Sequence, residues 1–220
     1  LPDYLKDFPN QQDVLRYVLT INAPENKDND FTWSDFQLRN NSELVAILGN
    51  FINRVTVLTK KYYDYNIPKA ENIQDSDFNL LNDIKLNIIE IEKLIMNFKF
   101  REACFEFMKI ARSGNKYLAD QEPWKLIKSD PPRVKTIMFI ALQISAIISI
   151  VSEPFMPNTS KKIKGILNHE NHDIFWSWNQ LNEEKFLIKS GVKINEPELL
   201  FSRIEDQQIE NQLVKLKSKN

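Results

Sequence analysis

The sequence predicts an all-α protein built as a helical bundle, and three observations support this. Two long segments carry apolar residues at alternating spacings of four and three, which is typical of helices packed nearly parallel. Only 4 glycines occur in 220 residues, and the 10 prolines fall between the periodic segments. With 42% hydrophobic residues, the chain can bury a substantial core. A less periodic C-terminal segment is expected to be irregular or extended.

The first two helices are expected on either side of an acidic loop. An amphipathic helix is predicted over Gln12–Thr20, and Pro24 with the charged run NKDND ends it. A long helix follows Trp33, and we expect Phe31, Trp33 and Phe36 to staple its start to the core. Its apolar seam comprises Leu44, Leu48, Phe51, Val55, Leu58 and Tyr62.

A third and a fourth helix follow the loop that begins at Pro68. Asp77 is predicted to be the N-cap of the third, because a carboxylate there can accept from free backbone N–H groups. The fourth is predicted over Phe100–Leu118. The seam of the third comprises Leu81, Ile84, Ile88, Ile91, Ile95 and Phe98, and the inner face of the fourth carries Cys104, Phe107 and Ala111.

A short helix and a strongly apolar helix are predicted next. Pro123 and Trp124 open the short one, since proline suits the first helical position. Pro131–Pro132 break it and start another, Val134–Ser152. The 16 residues from Thr136 to Val151 are apolar nearly all round. That stretch falls short of the ~20 residues needed to span a bilayer, so we predict a buried central helix.

The last part of the chain has a different pattern. A final bundle helix is predicted over Asn158–Leu167, and extended pieces are predicted around Phe186–Ile188 and Val192–Ile194. A short helix should follow Pro197, from Glu205 to Leu216. Its apolar positions are Ile209, Leu213 and Leu216.

Charge and cysteine content limit the class of protein. The formal net charge is −1 and the sequence pI about 6.2, so no global basic field attracts DNA or RNA non-specifically. A base-specific reader with a small local site remains compatible with this charge. The single cysteine, Cys104, excludes an internal disulfide framework and suits the cytoplasm. The chain starts at Leu1 without a methionine, so we expect a piece of a longer polypeptide.

No catalytic, cofactor or metal site is predicted from the motifs. The sequence contains no glycine-rich phosphate loop and no nucleophile elbow. His169 and His172 lie among acidic residues, but no CxxC motif completes a tetrahedral metal set. We therefore interpret the histidine segment as a solvated loop.

Two helix positions and one tryptophan are candidates for nucleic-acid recognition. Asn50 and Arg54 lie one turn apart on one face of the long helix, at the border between its apolar seam and solvent. Spacing alone favours an ordinary Asn–Arg contact on a solvated flank. Trp124 at a helix start is either a packing anchor or a platform on which an unstacked base can lie.

The order of seven motifs resembles the methionyl-tRNA synthetase family over nearly the whole chain. In order, these are LRYVLT, DFTWSDF, RNNSELVAILGNFINR, FREAC, QEPW, EPFMPNTSKKI and GVKINEPELLFSRIE. The class I synthetases for isoleucine, valine and leucine share the bundle. The combination of LGNFINR, QEPW and LFSRIE resembles the methionine enzyme specifically.

The resemblance implies roles for individual residues. Asn50 and Arg54 match helix positions that contact anticodon bases, and Trp124 matches the tryptophan that stacks on the first anticodon base. Pro123 would set the direction of that indole. Asp120 aligns with an acidic position whose carboxylate could repel wrong anticodons.

The resemblance also implies a function and a division of the chain. Residues 1–30 would connect to a catalytic domain of the same polypeptide, residues 31–179 would form the helical anticodon-binding bundle, and residues 180–220 an extended segment, helix and lysine-rich tail. This domain would recognise the CAU anticodon loop of tRNA(Met) for a cytoplasmic methionine–tRNA ligase. ATP and a zinc site would belong to the catalytic part, so this chain alone should be inactive. The alternatives are an isoleucyl-, valyl- or leucyl-type anticodon domain and a non-enzymic helical interaction module.

Overall fold

Helices dominate the computed structural model, which describes residues 2–25, 28–172 and 176–218. No β-strand occurs in these residues, apart from one isolated antiparallel bridge between Asn66 and Lys193. The all-α prediction is confirmed. The α-helices are α1 Pro2–Asp7, α2 Gln12–Ile21, α3 Trp33–Arg39, α4 Asn50–Tyr63, α5 Asp75–Met96, α6 Phe100–Gln121, α7 Pro123–Leu126, α8 Pro131–Val151, α9 Pro157–Ile166, α10 Trp178–Glu183 and α11 Asp206–Ser218.

Helix α8 is the centre of the bundle. It contacts α4, α5, α6, α7, α9 and α10. Its length and apolar composition would suffice to cross a membrane, but 94% of its most apolar window is buried inside the protein. Its few polar groups have partners: the Gln143 Oε1 accepts from the backbone N–H groups of Leu187 and Ile188. The prediction of a buried central helix is confirmed.

The long helix after Trp33 differs in its winding from the prediction. Its residues stay helical from α3 to α4, but Asn40–Gly49 between them is a π-helix. The backbone N–H of Asn50 donates to the Val45 carbonyl, five residues back. Neither Gly49 nor its neighbours signal this in sequence. π-Turns occur frequently at functional sites, and this one ends directly before Asn50.

Aromatic side chains hold the start of this helix, as predicted. Thr32 is the N-cap of α3, and its side chain accepts from the Asp35 N–H. The Trp33 ring lies 5.5 Å from Phe36 and 5.7 Å from Phe8 between centroids. Phe8, which directly follows the short helix α1 that sequence reasoning missed, is fully buried. The aromatic cluster therefore joins the N-terminal segment to the bundle.

The start and the end of α5 correct two predictions. The N-cap is Gln74, and Asp77 lies in the first turn, where its carboxylate accepts from the Gln74 N–H at 2.9 Å. The seam residues Ile84, Ile88 and Ile91 are buried, but Phe98 is 77% exposed. The helix ends at Met96, so the apolar spacing continues one position beyond the packed surface.

The C-terminal segment packs along the bundle without forming a strand in the described residues. Ile67 exchanges backbone hydrogen bonds with Val192 and Gly191, at 2.9 and 2.8 Å. This confirms the prediction of extended or loop structure against the bundle. In α11 only part of the predicted seam packs: Ile209 is buried, whereas Leu213 and Leu216 are 46% and 53% exposed.

Candidate nucleic-acid interface

Residues far apart in sequence meet where α4 begins and α6 ends. The guanidinium carbon of Arg54 lies 4.9 Å from the centroid of the Trp124 ring, which is cation–π geometry. Trp124 is 38% exposed and Asn50 is exposed one turn before Arg54. The predicted convergence is therefore confirmed for Arg54 and Trp124, and Asn50 lies one helical turn before Arg54.

Asn115 of α6 completes this group, and sequence reasoning missed it. Its Nδ2 donates to the backbone carbonyls of Ile47 and Ala111, at 2.9 and 3.1 Å. These bonds fix the amide so that its Oδ1 faces the Nδ2 of Asn50 at 3.5 Å. The side chain of Asn50 is therefore oriented from a neighbouring helix, and its carbonyl oxygen can accept from a ligand. No local pattern in the sequence signals a contact across 65 positions.

Helices α4 and α6 approach closely because residue 114 is glycine. A Cβ at Gly114 would lie 2.6 Å from two atoms of the Phe51 ring, closer than van der Waals contact allows. Phe51 is fully buried, so its ring has no free space to enter. The absent side chain at Gly114 thus sets the helix separation at which Asn115 reaches Asn50.

A sharp elbow between α6 and α7 presents Trp124. Glu122 links the two helices in the left-handed conformation, with φ 42° and ψ 54°. Pro123 then occupies the first position of α7, where its fixed φ suits a helix start. Its side chain is buried.

A buried ion pair lies behind the elbow. Arg133 is 4% exposed and donates to both carboxylate oxygens of Asp77, which is fully buried, at 2.5 and 2.8 Å. The Tyr117 hydroxyl donates to the same carboxylate at 2.7 Å. Burial opposes ionisation of Asp77, but the hydrogen bonds from Arg133, the Gln74 N–H and Tyr117 outweigh it and hold the pKa of Asp77 below its usual value.

The acidic candidate of the site lies at the surface. Asp120 is exposed, and its carboxylate pairs with Lys116 one turn earlier on α6. Arg112, further back on the same helix, is also exposed. Both signs of charge therefore occur on the exposed surface of α6, which agrees with the formal net charge of −1.

The structure corrects the interpretation of the histidine segment. His172 is buried, with Nε2 3.1 Å from the Leu167 carbonyl and Nδ1 accepting from the Lys189 N–H at 2.9 Å. It therefore holds two backbone segments together and does not lie in a solvated loop. Asp173, which follows it, lies outside the described residues. Across ranges 2–25, 28–172 and 176–218, no cluster of three metal-ligating side chains occurs.

Sequence comparison identifies the same family over both parts of the chain. Residues 67–220 match the model described as the anticodon binding domain of methionyl tRNA ligase, and residues 2–56 match class I tRNA synthetases (M). The methionine–tRNA ligase of Christiangramia forsetii is 56% identical over 99% of this chain and 32% of its own length. That of Bacteroides fragilis strain YCH46 is 52% identical over 98% of this chain and 31% of its own length. The chain thus spans about a third of these relatives.

Solved structures share the fold. The free methionyl-tRNA synthetase of Mycobacterium tuberculosis superimposes with a TM-score of 0.79 over 88% of this chain and 39% of that protein, at 23% identity. The same enzyme with methionyl-adenylate gives 0.77 over 87% and 37%, at 24% identity. The family models and the high-identity relatives do not favour the isoleucyl-, valyl- or leucyl-type alternative, nor the interaction module. The chain belongs to the methionyl-tRNA synthetase family and contains the anticodon-binding domain of that family.

Proposed function

We propose that this domain binds the CAU anticodon loop of tRNA(Met) at the surface formed by Asn50, Arg54 and Trp124. The observation that carries the proposal is the Arg54–Trp124 contact at 4.9 Å, which places a charged donor group beside a partly exposed indole. Splayed bases of single-stranded RNA are bound through this combination of stacking surfaces and hydrogen-bonding groups.

Trp124 supplies the stacking surface. Arg54 covers part of the indole, and 38% of the residue remains open for the face of the cytosine. Base–aromatic stacking contributes about 1–3 kcal/mol per base. Because the Arg54 guanidinium already lies against the ring, little additional ordering of the side chain is required on binding.

Asn50 and Arg54 supply the selectivity. The Asn50 carbonyl oxygen accepts from an exocyclic amine, and the Arg54 guanidinium donates to a base acceptor. A wrong base leaves these groups without partners in a closed interface, and each unpaired group weakens the binding free energy by about 1–3 kcal/mol. Asp120 adds repulsion against an anticodon that presents an acceptor or phosphate near its carboxylate.

The proposal extends to the whole protein. A preceding catalytic domain would attach methionine to tRNA with ATP in the cytoplasm, and would hold any zinc. Residues 1–30 would link that domain to the bundle of residues 31–179, and residues 180–220 would follow as the tail. Residues 2–56 match the class I synthetase model, which supports continuity with such a domain.

The experiment is a titration of the purified chain with an anticodon stem-loop carrying CAU and with stem-loops changed at one anticodon base. We expect CAU to bind most tightly, with a loss of about 1–3 kcal/mol for each changed base. Equal affinity for all stem-loops, or no binding at all, would contradict the proposal.

A pair of arginine variants refines the test. Arg54→Ala should weaken CAU binding and reduce the discrimination between bases. Arg101→Ala removes a similar contact, because the Arg101 guanidinium carbon lies 6.0 Å from the centroid of the Phe105 ring near the other end of α6. That variant should bind like the wild type.

A further inference from the structure

We propose that Gln121 is a positioning residue that fixes Trp124 through the buried Arg133–Asp77 pair. The inference rests on the proposed function, and it concerns a residue to which that function assigns no part. Gln121 is the last residue of α6, three positions before the indole. Its Oε1 accepts from the Arg133 Nη2 at 2.7 Å.

The pair that holds Gln121 is a rigid anchor. Arg133 binds Asp77 through both terminal nitrogens, so the plane of the guanidinium is fixed. The backbone N–H of Arg133 also donates to the Asp130 side chain, which caps α8. Asp77 is tied to the first turn of α5. One buried group therefore connects α5, α8 and the end of α6.

The elbow needs such an anchor because its own backbone is strained. Glu122 is a non-glycine residue with φ 42°, a conformation that L-residues adopt only at a free-energy cost. Rotation at Glu122 would swing Pro123 and Trp124 together, since proline fixes the next φ. The Gln121–Arg133 bond holds the residue just before this joint. Without it, the indole would leave its place beside Arg54.

The surface contact with Arg54 cannot replace this anchor. Arg54 and Trp124 are both partly exposed, and the arginine side chain has many rotamers. Gln121 by contrast binds Arg133, a residue that is only 4% exposed. The core thus fixes the position of the platform, and Arg54 contacts a ring already in place.

A double-mutant cycle with Trp124→Ala tests this inference by CAU stem-loop affinity. Gln121→Ala should weaken binding about threefold to tenfold. This is a part of the effect of losing the whole base–indole stack, which weakens binding about five- to 150-fold. In a Trp124→Ala background, Gln121→Ala should have no further effect, because its influence passes through the indole. Gln121→Glu keeps an acceptor for Arg133 and should bind like the wild type.

The control is Gln207→Ala, which removes an exposed glutamine bonded to Asn211 on α11. It should leave affinity unchanged. Equal weakening by Gln121→Ala in both backgrounds would overturn the inference, as would unchanged affinity in the wild-type background. If Gln121→Ala does not fold, Gln121→Met replaces it, since it keeps the side-chain length and removes the acceptor.

A measurement without RNA separates this inference from the proposed function. With 5-fluorotryptophan incorporated, the ¹⁹F resonance of Trp124 is identified by its loss in Trp124→Ala. Gln121→Ala should shift or broaden that resonance, and Gln207→Ala should not. An unchanged resonance in Gln121→Ala would contradict the positioning of the indole, even if the domain binds CAU. Absence of RNA binding by the wild type would instead contradict the proposed function alone.

Discussion

Replacing Gly114 with alanine should separate the two helices that form the candidate interface. The added Cβ would lie 2.6 Å from two ring atoms of Phe51 and 3.0 Å from a third. Contact at an ordinary distance requires a shift of about 1 Å, and the ring cannot move into solvent because Phe51 is fully buried. Helix α6 must therefore move away from α4, which carries Asn115 away from Asn50.

The magnitude follows from two opposing effects. Alanine favours a helix over glycine by about 1 kcal/mol. Overpacking in a tight core costs about 1–3 kcal/mol, and the contact with a rigid ring favours the upper part of that range. We therefore expect Gly114→Ala to lower the free energy of unfolding by about 1–2 kcal/mol. CAU affinity should fall as well, because the geometry of Asn50 depends on this approach.

The chain offers a control for the same chemical change. A Cβ at Gly165, in α9, would meet nothing within 4 Å, so Gly165→Ala should raise stability by about 0.5–1 kcal/mol. Urea unfolding of both variants should thus give changes of opposite sign. Phe51→Leu combined with Gly114→Ala should recover part of the loss by making room for the methyl group. Equal stabilisation by both alanine substitutions would refute the account of helix packing.

Three further predictions follow from the buried groups and from Arg54. Asp77→Asn should lower the free energy of unfolding by about 3–5 kcal/mol in a denaturant titration, because Arg133 would remain buried without its counter-ion; a loss below 1 kcal/mol would contradict this. Folding lowers the pKa of Asp77, so its ionised form stabilises the wild type above about pH 4, and this contribution is lost as pH falls through the folded pKa. The free energy of unfolding of the variant should therefore fall less steeply than that of the wild type as the solution is acidified. Burial raises the pKa of the Cys104 thiol well above its usual value, so a thiol reagent at neutral pH should modify it only at the rate of unfolding; immediate labelling of the native protein would show that the site is open. Arg54→Ala should reduce discrimination between CAU and other anticodons with little change in the salt dependence of binding. If the slope of the logarithm of the binding constant against the logarithm of salt concentration instead became shallower by about one, Arg54 would contact a phosphate.

The helices were predictable because their signals are local. Apolar spacing located α4, α5 and α6, and the proline at position 123 located α7. Pro131–Pro132 and the nearly all-round apolar stretch after them located α8. The same spacing misplaced Phe98, Leu213 and Leu216, because periodicity continues where the packed surface has ended. Burial depends on which element packs against a helix, and the sequence of that helix alone does not show where the packing ends.

The candidate interface was predictable only in part. Spacing placed Asn50 and Arg54 on one face, and the family resemblance joined them to Trp124. Asn115 and Gln121 lack any local pattern, since their partners lie on other elements. The ion pair of Asp77 was interpreted as a helix cap for the same reason: the first turn of α5 is visible in sequence, and the arginine 56 positions later is not.

The central claim is that Trp124 is the stacking platform for an anticodon base. The most direct measurement compares the affinity of a CAU stem-loop for the wild type, Trp124→Ala and Phe98→Ala. Phe98 is also an exposed aromatic residue, but it lies just before α6, whereas Trp124 lies just after it, about 33 Å along a helix of 22 residues. The account predicts a loss of about 1–3 kcal/mol for Trp124→Ala with unchanged stability, and wild-type binding for Phe98→Ala. Wild-type affinity and selectivity in Trp124→Ala would contradict it.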